Sequence, residues 1–203
     1  MFAAMDALVL PPAHCALVVI DLQRGIVSMP AFPRPSLEVV ANAARLAEAQ
    51  RAGGGLVVLV RVTPRPDGRD ALHPTLDPGP PLPARTPGWA ELVPELAGHE
   101  EDLVITKRQW GAFYGTELDL QLRRRAVRTI VLCGISTSIG VESTARDAYE
   151  RGYDQVFVED AMAARSAGEH AHTVAHVFPR IGRVRSTGQV VAALRAGLPA
   201  RPD

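Results

Sequence analysis

The sequence predicts an α/β fold, a three-layer α/β/α sandwich around a mostly parallel, doubly wound sheet of five to six strands. Short apolar runs rich in β-branched residues recur along the chain, as expected for parallel strands that are covered on both faces. Amphipathic stretches with helix start and stop signals lie between these runs, and this alternation favours right-handed crossovers. A chain of 203 residues is long enough for one buried core, so we expect a single domain over residues 1–203.

Five runs are predicted to be strands because they are nearly continuous in valine, isoleucine and leucine. In chain order these runs are 16–22, 55–62, 102–107, 128–135 and 154–160. The segments between and after them predict five helices. The first has Ser36 as its N-cap and ends at Gly53, with an apolar stripe formed by Leu37, Val40, Ala44 and Ala47. The other helices are predicted over 116–127, 139–151 and 167–177, and from Ser186, where Gln189 completes a capping-box spacing.

The segment 63–88 departs from this alternation. It holds eight of the 17 prolines, so it cannot contain a regular helix or a central strand. Ordered loops of this length usually form lids, ligand-site walls or subunit contacts. We therefore expect this loop to lie at a ligand site or at a contact between subunits.

Composition narrows the classes of partner and compartment. The 22 basic and 22 acidic residues cancel, so neither a nucleic acid nor an anionic membrane is indicated as a partner, and a small-molecule substrate is expected. No apolar run approaches the roughly 18 residues that a membrane helix needs, and the N-terminus lacks the basic region of a signal peptide. Cys15 and Cys133 lie in apolar runs, which predicts reduced, buried thiols and a cytoplasmic protein.

Polar residues follow three of the predicted strands at their carboxyl ends, where ligands bind in open parallel sheets. Asp21 closes the first strand and Lys107 the third, and the fourth runs into a loop bracketed by Gly134 and Gly140. An aspartate or lysine at a strand end is also a common turn or cap residue. Position alone therefore leaves a functional and a structural interpretation open.

Three segments resemble the motifs of the isochorismatase-like cysteine hydrolases. They are DLQ at 21–23, Lys107 followed by AFYGT at 112–116, and GISTSIGV at 134–141. In most members of that superfamily an aspartate, a lysine and a cysteine occupy these three places, and the cysteine is the nucleophile. This chain has Gly140 at the place of the cysteine. The resemblance thus implies a site formed by Asp21, Lys107 and Gly140 in which covalent catalysis by residue 140 is excluded.

Isochorismatases proper also carry glycine at this place, and their aspartate acts as a general acid on a vinyl ether. If the resemblance extends to this role, Asp21 would protonate the methylene carbon of an enolpyruvyl ether. Water would then add to the resulting oxocarbenium ion, and the hemiketal would break down to pyruvate and an alcohol. The acid must hold a proton near neutral pH, yet burial raises the pKa of a carboxyl group and an adjacent Lys107 ammonium lowers it. Desolvation must therefore dominate, or a substrate carboxylate must pair with Lys107. No cofactor is implied.

Two other interpretations stay open at this point. The chain could be a noncatalytic small-molecule-binding or scaffold descendant of a cysteine amidohydrolase, although burying Asp21 and Lys107 without a task costs stability. It could also hydrolyse an amide or ester directly with water, with Asp21 as the base.

The resemblance also implies supporting residues. It places a cis peptide bond between Ile135 and Ser136 and directs the amides of Ser136 and Gly140 toward the site. The candidate substrate-binding residues are Gln23, Arg61, Trp110, Phe113, Tyr114, Ser136 and Thr137. For Trp110 and Phe113 the alternative is a place in the core or an interface, and for Arg61 a solvated charge at a strand end.

No metal site is predicted. Nicotinamidases of the superfamily bind a metal through a D-x-H motif after strand two, where this chain reads VRVTPRPDG. His172 and His176 have a spacing that places both on one helix face, but no third ligand accompanies them, and the pair Asp70 and His73 has the same weakness. Cys133 precedes the loop and lies in a predicted strand, where a buried thiol is inert. Superfamily members are commonly oligomeric, so we expect a homodimer or homotetramer with contacts from 63–88 and 139–151.

Overall fold

Six parallel strands form one sheet at the centre of the computed structural model, which describes residues 8–78 and 85–198. The strands are β1 (Cys15–Ile20), β2 (Leu56–Val62), β3 (Leu103–Lys107), β4 (Thr129–Ile135), β5 (Asp154–Ala163) and β6 (Arg183–Arg185). Their order across the sheet is β3-β2-β1-β4-β5-β6, and every pairing is parallel. The described residues do not include 79–84, which are part of the predicted proline-rich loop. They also do not include 1–7, where no signal peptide is predicted.

Helices cover both faces of this sheet. They are α1 (Arg24–Val27), α2 (Ser36–Ala52), α3 (Leu118–Arg124), α4 (Glu142–Glu150), α5 (Ala167–His172), α6 (Phe178–Ile181) and α7 (Thr187–Ala196). Two π-helical turns, Thr137–Val141 and Thr173–Val177, lead into α4 and α6. The predicted capping box at the start of α7 is confirmed, because the side chains of Ser186 and Gln189 each bind the other residue's backbone.

Some predicted helix details are wrong. Pro35 occupies the N-cap position of α2, and Ser36 is the first helical residue. The buried face of α2 is set by the larger side chains Val39 and Leu46, whereas Leu37 is 71% exposed. Of the predicted stripe, Val40 and Ala47 are buried and Ala44 is partly buried against the core, so only Leu37 was assigned wrongly.

The remaining helix boundaries also need correction. The predicted helix 167–177 does not end before Phe178: Pro179 sits in the first turn of α6, where its missing N–H is not needed. Helix α3 begins at Leu118 instead of Thr116, and the Thr116 hydroxyl accepts a hydrogen bond from the Leu118 N–H at 3.2 Å.

Alternate residues of each central strand enter two different hydrophobic clusters. In β1, Cys15, Leu17 and Val19 pack on the side of α2 and α7, whereas Ala16, Val18 and Ile20 pack on the side of α3, α4 and α6. This two-sided burial confirms the predicted three-layer α/β sandwich. Both cysteines are buried and unpaired, as predicted. Among the described residues, no helix is long and apolar enough to cross a membrane.

The order of strands reverses between β1 and β4. From β1 the chain continues to β2 and β3 on one side, and from β4 it continues to β5 and β6 on the other. Such a reversal opens a crevice at the carboxyl ends of the two strands. Gly134 allows the strands to approach there, because a Cβ atom at this position would lie 2.1 Å from the carbonyl oxygen of Ile20. Its φ of 120° also favours glycine.

Candidate active site

Asp21 is the first residue beyond β1, at the crevice between β1 and β4. Its backbone is in the left-handed region, with φ 54°, and its N–H donates to the Val60 carbonyl at 2.9 Å. Because few residues other than glycine adopt this conformation, the hydrogen bond to β2 helps to hold Asp21 in place. The side chain is 9% exposed, and its Oδ1 atom has no hydrogen-bond partner among the described residues. One carboxylate oxygen is therefore enclosed and, within the described part of the chain, without a hydrogen-bond partner.

Lys107, the last residue of β3, reaches past the end of β2 to meet this carboxylate. Its Nζ atom lies 2.8 Å from Asp21 Oδ2 and donates to the Trp110 carbonyl at 2.5 Å. The side chain is only 1% exposed. The aspartate and the lysine predicted from the strand ends thus form a buried ion pair.

Gly140 faces this pair from the π-helical turn after β4. A Cβ atom at residue 140 would lie 3.1 Å from both Asp21 Oδ2 and Lys107 Nζ, and 2.9 Å from the Ile20 Cγ2 methyl. The Gly140 carbonyl accepts a hydrogen bond from the Thr144 hydroxyl at 2.6 Å, which fixes the turn on α4. Any side chain at residue 140 would therefore point at the carboxylate and the ammonium.

The electrostatic conflict at Asp21 is resolved in favour of burial. Desolvation raises the pKa of Asp21 to about 6, although the charge and hydrogen bond of Lys107 act in the opposite direction. An appreciable fraction of the carboxyl groups thus carries a proton just below neutral pH, which a general acid requires.

The loop after β4 has the predicted cis peptide bond between Ile135 and Ser136. The carbonyl of Ser136 accepts hydrogen bonds from the N–H groups of Ile139 and Val141, both at 3.1 Å. The Ser136 hydroxyl is buried and, among the described residues, has no partner. Thr137 is fully buried, and its hydroxyl lies 2.9 Å from a ring nitrogen of His170.

Two predicted substrate-binding residues have the contacts of framework residues. The Gln23 side chain is fully buried, donates to the Val62 carbonyl at 3.1 Å and accepts from the Val62 N–H at 2.8 Å, so it joins the end of β1 to the end of β2. Phe113 is 4% exposed and stacks on Tyr153 with ring centroids 5.9 Å apart. These contacts place Phe113 in the core, the alternative left open by its sequence.

The remaining candidates lie near the surface. Arg61 donates to the Thr106 hydroxyl at 3.1 Å. Thr106 immediately precedes Lys107, so in a strand the two side chains project from opposite faces, and Arg61 lies on the face away from Lys107. Trp110 and Tyr114 are 65% and 76% exposed. Both follow Lys107 closely in the chain and remain candidates for the rim of the site.

The described part of the proline-rich loop is tied to the same region. Asp70 forms a hydrogen-bonded ion pair with the Arg108 side chain, and this contact holds the pKa of Asp70 below its usual value. Because Arg108 directly follows Lys107, the ion pair fixes this loop beside the third strand end. The expectation that the loop helps to form the ligand site stays a prediction.

His170 was not predicted from the sequence as a site residue. It is 4% exposed on α5 and contacts the loop after β4 through Thr137. A signal was present, because Val174 and Val177 follow at the fourth and seventh positions and pack against the core, which places His170 on the buried helix face.

Neither His172 nor Cys133 shows the environment of a functional group. His172 and His176 are exposed with ring centroids 5.2 Å apart, and among residues 8–78 and 85–198 no group of three or more metal-ligating side chains is arranged to hold an ion. Burial raises the pKa of the Cys133 thiol above its usual value, so the thiolate is disfavoured.

This α/β/α sandwich is the fold of the isochorismatase-like hydrolases. The isochorismatase domain family matches residues 15–189, and the chain belongs to this family. The uncharacterized isochorismatase family protein YecD of Escherichia coli O157:H7 is 50% identical over 179 residues, which cover 88% of this chain and 95% of YecD. An isochorismatase family protein from Burkholderia thailandensis has a structure that matches with a TM-score of 0.86 and 46% identity, over 90% of this chain and 96% of that one.

More distant relatives include enzymes with a stated reaction. The ureidoacrylate amidohydrolase RutB of Variovorax paradoxus is 32% identical over 187 residues, which cover 78% of this chain and 72% of that protein. The chain is therefore related both to uncharacterized members of the family and, at lower identity, to amidohydrolases.

Proposed function

We propose that this protein is a hydrolase that acts without a nucleophilic cysteine on a small carboxylate-bearing substrate, and that it cleaves a vinyl ether with Asp21 as the general acid. The observation that carries the proposal is the convergence of three residues. Asp21 can be protonated, Lys107 is buried beside it, and the Cβ position of Gly140 faces both side chains. In this interpretation Gly140 occupies the place of the nucleophile in the cysteine-containing relatives. The pair then acts directly on the substrate.

The reaction needs one proton donor and one water molecule. The Asp21 carboxyl group gives its proton to the methylene carbon of the enolpyruvyl ether, which leaves an oxocarbenium ion at the ether carbon. Water adds to this carbon and loses a proton to the Asp21 carboxylate. The resulting hemiketal breaks down to pyruvate and an alcohol. Lys107 stabilises the carboxylate that remains after the first proton transfer.

The contacts of Lys107 also limit how it binds a substrate. Its ammonium group has three N–H donors, and two of them already point at Asp21 and the Trp110 carbonyl. The third donor is available for one oxygen of a substrate carboxylate. Since Arg61 projects from the other face of the sheet, Lys107 is the cation that we assign to this carboxylate.

The direct test is to mix the purified protein with isochorismate and to follow the release of pyruvate. We expect pyruvate to be released at a rate proportional to the enzyme concentration, and the rate to fall by about 10²–10⁴-fold in Asp21→Asn. Absence of pyruvate from isochorismate and from chorismate, a second enolpyruvyl ether, would contradict vinyl-ether hydrolysis and favour the noncatalytic alternative.

The pH dependence of kcat/KM distinguishes an acid from a base at Asp21. Because a general acid acts in its protonated form, kcat/KM should be highest at low pH and fall about tenfold per pH unit once the pH exceeds about 6. A base would give the opposite slope, with activity rising through the same pH range. Steady-state rates of pyruvate release between pH 5 and pH 8, with folding verified by circular dichroism at each pH, measure the slope.

Replacement of Gly140 by cysteine tests whether residue 140 occupies the nucleophile position. The new Sγ atom would lie beside the Lys107 ammonium, so its pKa should fall and its reaction with iodoacetamide at pH 7 should be about tenfold faster than that of a free thiol. The added Cβ would lie 2.9 Å from the Ile20 methyl and 3.1 Å from both Asp21 Oδ2 and Lys107 Nζ, so these groups must shift slightly, and circular dichroism of the variant verifies that it folds. Gly140→Ser adds a similar volume without a thiol and is the matched control. Ordinary reactivity of the introduced thiol would contradict the assignment.

A further inference from the structure

A buried histidine outside the Asp21–Lys107 pair contacts the loop 136–140, which follows β4. The Nδ1 atom of His170, on α5, lies 2.9 Å from the Thr137 hydroxyl. Both side chains are almost completely enclosed, at 4% and 0% exposure. Since a buried hydrogen bond between two side chains fixes both groups, this contact joins α5 to the turn that carries Gly140.

The turn is held on its other side by a second threonine. The Thr144 hydroxyl donates to the Gly140 carbonyl at 2.6 Å and accepts from the Ala112 N–H at 3.1 Å. Thr144 thus fixes the end of the turn against the segment after Lys107. Thr137 and His170 fix its beginning, so the two threonine hydroxyls bracket the turn.

The surroundings of His170 set the direction of its hydrogen bond. Its Nε2 atom has no partner within hydrogen-bonding distance among the described residues, and the Glu159 carboxylate lies 3.8 Å from it. Burial and the Arg34 charge lower the pKa of His170, so the ring is neutral near pH 7. With the ring proton on Nε2, directed at Glu159, the Nδ1 atom is an acceptor and the Thr137 hydroxyl donates to it. Thr137 is then held in one orientation.

We propose that His170 is a positioning residue, which acts through the Thr137 hydroxyl to hold the loop 136–140 against the Asp21–Lys107 pair. The proposal rests on the proposed function only in that this loop belongs to the site. It does not require that the substrate be a vinyl ether. His170 itself has no contact with Asp21 or Lys107 that would make it a catalytic group.

The first experiment measures amide hydrogen exchange of a peptide that spans 136–145. Thr137→Val and His170→Leu remove the hydrogen bond, and each should accelerate exchange of the loop amides by about tenfold, the effect expected for the loss of one buried hydrogen bond. Thr137→Ser keeps the hydroxyl, and His170→Asn places an amide near the position of Nδ1, so both should restore most of the protection. His172→Leu, an exposed histidine on the same helix, is the control that should leave exchange unchanged.

The second experiment repeats the substitutions in the Gly140→Cys background and follows the iodoacetamide reaction against pH. Thr137→Val and His170→Leu should raise the pH at which the thiol becomes reactive, and the double variant should show no larger shift than either single variant, since both remove the same contact. Faster exchange with an unchanged thiol pH profile would show a purely structural role and would overturn the proposal, as would unchanged exchange. If the protein releases no pyruvate but these shifts occur, vinyl-ether hydrolysis fails and the positioning role stands.

Discussion

Asp21→Asn is expected to lower kcat/KM for pyruvate release from isochorismate by about 10²–10⁴-fold, the usual contribution of a general acid. The amide has nearly the shape of the carboxyl group, so it keeps the packing at the end of β1. It cannot deliver a proton to carbon, and the first step of the reaction is lost. Rates should be measured near pH 6, where the pKa of Asp21 leaves much of the wild-type enzyme protonated.

Asp154→Asn provides a matched control for this variant. Asp154 is exposed at the start of β5, and the carboxyl end of that strand is the one near the site. Its replacement should change kcat/KM by no more than about twofold, as expected of a surface position. If Asp21→Asn retained the wild-type rate, Asp21 would not be the acid and the mechanism would have to be abandoned.

Lys107→Met is expected to lower the free energy of unfolding by about 3–5 kcal/mol at pH 8, since it leaves the Asp21 carboxylate buried without its partner. This loss of unfolding free energy should become larger as the pH rises. Without Lys107 the pKa of Asp21 in the folded state rises further above about 6, and a group with a raised pKa destabilises the fold progressively as the pH rises through that value. The variant should therefore be closest to wild type near pH 5. Urea denaturation of both proteins at pH 5 and at pH 8 measures the loss of unfolding free energy and its dependence on pH.

Two further variants give this experiment its reference points. Asp21→Asn combined with Lys107→Met removes both charges, so it should recover part of the stability lost at pH 8. Arg24→Met breaks an ion pair with Glu91 in which both side chains are more than half exposed, and it should cost less than about 1 kcal/mol at either pH. A loss at Lys107 that was small and independent of pH would show that the ion pair does not stabilise the fold.

A feature of the fold could be predicted when its cause lies within a short stretch of the sequence. The interior strands are visible in the sequence because each is buried on both faces and therefore continuously apolar. The edge strand β6 (Arg183–Arg185) has no apolar run, so nothing in its sequence distinguishes it from a loop. On α2, the predicted burial of Val40 and Ala47 is confirmed, whereas Leu37 was wrongly placed on the buried face.

The same distinction between local and non-local causes applies to the candidate site. Asp21 and Lys107 were predictable as neighbours because the carboxyl ends of parallel strands share one edge of the sheet. Other features depend on how separate segments of the chain pack. They are the burial of Lys107, the hydrogen bond from the Gln23 amide to β2, and the contact between His170 and Thr137. No local pattern contains that information.

The position of Gly140 has an evolutionary consequence. Some glycine codons differ from a cysteine codon at one base, and a side chain introduced at residue 140 would face Asp21 and Lys107, whose polar atoms must shift slightly together with the Ile20 methyl. By contrast, Gly134 near the end of β4 is restricted to glycine, because a Cβ atom there would collide with the backbone of β1. In this scaffold one base change can therefore introduce a thiol beside Asp21 and Lys107 while the close strand contact at Gly134 is preserved.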